Sequence, residues 1–171
     1  MIRDILDYMR KLSDNKIELY RDGEISVFNA ILNAPVNKEY INYFEESIGY
    51  QLPKDYKEFL LVANGIQFFE AADFEIFDLE YVKELMKFNE YSDGVYVIGS
   101  ILEDYILINS KEIESGKYLY FGSSILPQEC ISFNHNFEMF LKNFIGANFQ
   151  NYWSWFDHHY TKFVDFSANQ E

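Results

Sequence analysis

The sequence predicts an α+β fold, a single domain with an antiparallel β-sheet packed by helices from the N-terminal and C-terminal segments. Three observations carry this. Apolar residues recur mostly at helical spacing up to about residue 91; between 95 and 133 they gather into short β-branched and aromatic runs separated by turn residues; helical spacing then returns. Helices, a run of strands and a final helix is the order of an α+β domain rather than of alternating βα units. The chain has 171 residues, the length of one domain, and 49% are hydrophobic, so a sizeable core is affordable.

Each element follows from its own pattern. Ile2, Ile5, Leu6, Met9 and Leu12 form one face of a helix over residues 2–12. The stretch from Asp14 to Pro35 has poor periodicity and receives no element. Asn37 is an N-cap for a helix carrying Ile41, Phe44 and Ile48, closed at Gly49. Pro53 suits the first position of the next helix, with Tyr56, Phe59, Leu60 and Ala63 as its stripe and Asn64-Gly65 as its left-handed cap. Residues 74–79 predict a strand, and residues 80–91 a helix facing inward through Tyr81, Leu85 and Phe88. Residues 95–100, 104–110 and 117–123 predict an antiparallel meander, followed by a strand near Cys130–Phe133. Phe137, Phe140, Leu141, Phe144 and Ile145 place a helix over 137–149. The aromatic tail after Asn151 (Tyr152, Trp153, Trp155, Phe156, Tyr160, Phe163, Phe166) has helical spacing and is expected to complete the core; an exposed Trp153 or Trp155 would instead be an interface anchor.

Charge narrows the partners. The formal net charge is −14, which disfavours direct contact with nucleic acid or an anionic membrane and favours basic partners. Residues 70–104 hold ten acids (Glu70, Asp73, Glu75, Asp78, Glu80, Glu84, Glu90, Asp93, Glu103, Asp104) against Lys83 and Lys87, so this segment supplies −8 of the −14. An ordinary solvated strand and helix would also place Glu75, Asp78, Glu80 and Glu84 at these spacings. No run is long and apolar enough to span a membrane, and the start lacks the profile of a signal peptide. A single cysteine excludes an internal disulfide framework. A cytoplasmic location is expected.

The segment Tyr43 to Gly65, YFEESIGYQLPKDYKEFLLVANG, is similar to the opening signature of the SUKH superfamily, the Smi/Knr-type domain. The matching positions are Glu45, Ile48-Gly49, Leu52-Pro53, Asp55-Tyr56 and Asn64-Gly65; Ile98-Gly99, Tyr105–Asn109 and Phe137–Phe144 fit the later strands and helix. On this resemblance, residues 37–151 form the core, residues 1–36 an N-terminal helix and lead-in of the same domain, and residues 152–171 an aromatic extension. The lead-in and the extension both depart from the family's pattern. The resemblance implies a protein-binding module without a catalytic centre. Bacterial members resemble immunity proteins that neutralise a polymorphic toxin, frequently a nuclease, and fungal relatives act in cell-wall regulation as interaction proteins. The expected partner is therefore a cognate basic toxin domain, with Glu70, Asp73, Glu75, Asp78, Glu80, Glu84, Glu103 and Asp104 as the partner-binding residues. A regulatory interaction protein and an uncharacterised hydrolase are the alternatives.

Catalytic patterns are weak, and no catalytic residue, cofactor or metal is expected. Adjacent histidines such as His158-His159 diverge on a strand or helix, and no HExxH, GxSxG or phosphate loop accompanies them. His135 between two asparagines suggests a turn rather than a base. Cys130 lies in an apolar run with no group to stabilise a thiolate. Phe77 and Asp78 break any calcium loop begun at Asp73.

Overall fold

Eight strands pair strictly with their sequence neighbours, each antiparallel, in a computed structural model that describes residues 2–13, 17–21, 24–69, 74–88, 93–147 and 152–153. They are β1 (Ile17–Arg21), β2 (Glu24–Leu32), β3 (Ile66–Phe69), β4 (Phe74–Ile76), β5 (Val95–Ile101), β6 (Asp104–Asn109), β7 (Leu119–Gly122) and β8 (Ile131–Ser132). The expected meander is present and is longer than the sequence pattern indicated. The Asp14–Pro35 lead-in, to which periodicity assigned nothing, contains the β1–β2 hairpin, and β3 also escaped notice. Strand β2 pairs with β1 through residues 24–28 and with β3 through residues 29–32. Its apolar pattern misleads because Ile25 and Ile31 are exposed while Ala30 is buried, so hydrophobicity does not report which way each residue faces.

Three helices cover one face of the sheet, and on the opposite face Val97 of β5 and Leu107 of β6 are buried as well. Helix α1 (Ile2–Ser13) buries Ile2 and Leu6, α3 (Lys54–Leu60) buries Tyr56, Phe59 and Leu60, and α5 (Phe137–Gly146) buries Phe137, Phe140, Leu141 and Phe144. Phe74 of β4 reaches Phe144 at 4.5 Å between ring centroids, and Phe59 meets Phe137 edge-on at 5.1 Å. Trp153 packs into the same core, 4.8 Å from Phe121 and 5.0 Å from Phe133. Core packing is thus correct for Tyr152 and Trp153, and Trp153 is no exposed anchor. Trp155, Phe156, Tyr160, Phe163, Phe166, His158 and His159 lie outside the described residues.

Two further helices, α2 (Lys38–Ile48) and α4 (Leu79–Phe88), are capped by side chains: Asn37 Oδ1 accepts from the Tyr40 N–H at 2.8 Å, and Asp78 Oδ1 from the Tyr81 N–H at 2.8 Å. Helix α2 ends as expected at Gly49, with φ +77°. Two expectations need correction. Helix α3 stops at Leu60, so Gly65 (φ +104°) is not its cap but the entry to β3; a Cβ there would stand 2.7 Å from the Ile76 carbonyl oxygen. Helix α4 buries Leu79 and Val82 and packs Leu85 and Met86 against the core, so its inward stripe runs along these positions and leaves Tyr81, off that stripe, 46% exposed.

Gly99 has a different reason to be glycine. It lies opposite Ile76 in β5, and a Cβ would sit 2.3 Å from the Glu75 carbonyl oxygen, which is backbone and has no flexible end to move. Gly99→Ala is therefore expected to destabilise the fold by about 2 kcal/mol through overpacking. A lower urea midpoint at unchanged slope would report it.

The minor candidates resolve simply. His135 follows Asn134, which has φ +56°, in a turn, as expected. Its Nδ1 faces the Asn136 carbonyl oxygen at 3.2 Å, so Nδ1 carries the proton and Nε2 accepts from the Tyr152 hydroxyl at 2.7 Å. Burial pushes its pKa down, which keeps the ring neutral. Cys130 is half-buried, its thiol donates to the Ser124 carbonyl at 3.1 Å, and desolvation pushes its pKa up, away from thiolate. No helix among the described residues is long and apolar enough to cross a membrane.

Candidate functional site

The Tyr43–Gly65 signature is occupied with holding the chain together. Glu45, on the last turn of α2, accepts the Leu52 N–H at 2.6 Å and the Lys57 ammonium at 3.0 Å, fixing the link into α3. Asp55, in the first turn of α3, accepts the Tyr118 hydroxyl with one oxygen and the Glu138 N–H at 2.9 Å with the other. The Phe137 N–H in turn donates to the Tyr118 hydroxyl at 3.1 Å, and Asn136 caps Met139 at 2.9 Å. The first amides of α5 are thus all satisfied by groups from three separate segments. Burial, with Asp55 alongside, drives the Tyr118 pKa well up and keeps this hydroxyl a donor. Asn64 accepts the Leu79 N–H at 3.1 Å and ties the end of the signature to α4.

The acidic segment behaves differently. Phe74 and Ile76 of β4 point into the core, so strand alternation turns Glu75 to the opposite face. There the register aligns a row across four strands: Gln67 opposite Glu75, Glu75 opposite Ser100, and Ser100 opposite Tyr105. Asp78, Phe77 and Tyr81 at the start of α4, together with Leu102 and Glu103 in the β5–β6 turn, complete a groove of about 550 Å³.

Three of the eight expected partner-binding residues, Glu75, Asp78 and Glu103, therefore come together. Glu80 turns instead to the Tyr40 hydroxyl, Glu84 is exposed farther along α4, and Asp104 pairs opposite Ile101 without lining the groove. Glu70 and Asp73 lie outside the described residues. Asp93, counted in the charge excess, is bound by Lys111 at 2.8 Å and Tyr50 at 2.6 Å, and these contacts lower its pKa. Sequence reasoning missed Gln67, Tyr81, Ser100, Leu102 and Tyr105; only the strand register brings Gln67, Ser100 and Tyr105 beside Glu75.

The groove is electrostatically unfinished. Gln67 Nε2 donates to Glu75 Oε1 at 2.7 Å, which orients the carboxylate without neutralising it. Among the described residues no lysine or arginine forms an ion pair with Glu75, Asp78 or Glu103. The nearby Lys83 ammonium stands 4.8 Å above the Tyr43 ring instead.

Leu102 forms an apolar lip to this groove in a costly conformation. It occupies the two-residue turn between β5 and β6 with φ +57° and is 61% exposed. A leucine is strained there, where glycine is at ease. Leu102→Gly is accordingly expected to raise stability by about 1 kcal/mol, read as a higher urea midpoint, while removing the most exposed apolar side chain at the groove.

Comparison with known proteins fits this architecture. The family model of the SMI1 / KNR4 family (SUKH-1) matches residues 35–143. Two relatives from Bacillus subtilis (strain 168) are similar over most of the chain. The uncharacterized protein YnaB is 29% identical over 121 residues, covering 70% of this chain and 83% of its own. The uncharacterized protein YobM is 31% identical over 128 residues, covering 67% and 68%.

Proposed function

The chain belongs to the SMI1/KNR4 (SUKH-1) family, and from that premise we propose that it is a non-catalytic protein-binding module, an immunity protein that occludes a cognate basic toxin domain such as a nuclease. The observation that carries this reading is the groove on the outer sheet face, where Glu75, Asp78 and Glu103 converge with exposed Tyr81, Leu102 and Tyr105 and, among the described residues, pair with no lysine or arginine. A nuclease cleft must attract a polyanion and is therefore basic. An acidic face rimmed by tyrosine and leucine is complementary to it, both for steering and for a desolvated contact. The signature carboxylates Glu45 and Asp55 accept structural hydrogen bonds, which leaves them little freedom for acid–base chemistry.

The test is co-expression with a toxin candidate encoded beside this gene. Survival restored by this protein, with a stable one-to-one complex, is the expected result. Toxicity left unchanged, or a neighbourhood with no toxic product, overturns the immunity reading.

A further inference from the structure

The groove has a slot one strand wide. Glu75 and Tyr105 lie on β4 and β6, and between them β5 contributes only the short side chain of Ser100. Strands repeat at about 4.8 Å, so the backbone positions of Glu75 and Tyr105 are about 10 Å apart. A carboxylate forms one wall, a phenol ring the other, and a serine the floor. Gln67 holds one Glu75 oxygen, which leaves Oε2 facing no partner among the described residues. Among the described residues, no group of three or more His, Cys, Asp or Glu side chains is arranged to hold a metal ion.

We infer that this slot receives an arginine side chain of the partner, its guanidinium paired with Glu75 and stacked on the Tyr105 ring above Ser100. The inference rests on the proposed reading of this face as the docking surface. A guanidinium is planar, weakly hydrated and able to offer a carboxylate one edge while its face lies on an aromatic ring. An ammonium is compact and strongly hydrated, and can use only one wall at a time. Asp78 and Glu103 at the rim raise the local field without competing for the slot. The arrangement therefore selects arginine over lysine rather than positive charge in general.

The test is an NMR titration of the full chain, labelled with nitrogen-15, at low salt with N-acetyl-arginine amide and separately with N-acetyl-lysine amide. Saturable shifts at the amides of Glu75, Ser100 and Tyr105 are expected for the arginine probe, with the lysine probe at least about tenfold weaker. Glu75→Gln and Tyr105→Leu should each weaken the arginine response about fivefold or more. Ser100→Leu, which fills the slot, should abolish it, the rest of the spectrum reporting a retained fold. Equal responses to the two probes, shifts confined to other surfaces, or no response up to the probe's solubility would overturn the inference. Arginine selectivity without rescue from a toxin would remove the immunity reading alone, and rescue without arginine selectivity would remove only the slot.

Discussion

Asp55→Ala is expected to destabilise the protein by about 4 kcal/mol, the largest single effect outside the apolar core. The carboxylate binds α3, the residue preceding β7 and α5 together: it accepts from the Tyr118 hydroxyl and from the Glu138 N–H at 2.9 Å, besides its own helix at Tyr56 N–H, 3.1 Å. Truncation strands a buried hydroxyl and a partly buried amide, each costing about 1–3 kcal/mol when left unpaired, and removes charge-assisted bonds. Asp55→Asn is the informative companion. Its single carbonyl oxygen can serve only one of the two outside donors, while its amide confronts the other, so about half of the loss should remain. Tyr56→Phe is the contrast. The Tyr56 hydroxyl is fully buried without a hydrogen-bond partner among the described residues, and burial pushes its pKa well up. Its removal should cost nothing and gain about 1 kcal/mol. Urea unfolding of the three variants decides the matter. A loss below about 1 kcal/mol for Asp55→Ala would show that the signature does not hold the helices as described.

These contrasts also explain what the sequence could show. Helix boundaries marked by chemistry were legible: Asn37 caps α2 where expected, and Gly49 ends it with positive φ. The β5–β6–β7 meander was legible because its runs are apolar and separated by turn residues. The β1–β2 hairpin was not, since Ile25 and Ile31 point to solvent and erase the alternation. The site was half legible. A charge excess over residues 70–104 is visible in one dimension, yet it contains acids with unlike fates. Asp93 is paired with Lys111, Glu80 faces Tyr40, and only Glu75, Asp78 and Glu103 share the groove. The non-acidic residues of the groove are set by strand register, which no local pattern encodes. The same holds for Asp55: its place in the signature is local, but its partners lie 63 and 83 residues away.

The triple variant Glu75→Gln, Asp78→Asn, Glu103→Gln is expected to fold normally and to bind its partner about 100-fold more weakly, about 2.8 kcal/mol. Folding should survive because each substitution preserves shape and no described cation loses a partner. Asparagine caps a helix as well as aspartate, so α4 keeps its start. Binding should fall because three negative charges leave the docking face together. Salt supplies a second signature. The wild-type association rate should drop steeply as ionic strength rises, whereas the triple variant should start slow and respond little. A variant that lost affinity by unfolding would show neither the flattened salt response nor a native urea midpoint.

The most direct test of the central claim is therefore the affinity of the wild type and this triple variant for a purified, inactivated toxin candidate, sought among the products of the genes beside this one. The account predicts a tight one-to-one complex for the wild type and a loss of about 100-fold for the folded variant. Equal affinities would place the docking surface elsewhere on the molecule, and the absence of any wild-type complex would contradict the immunity function itself.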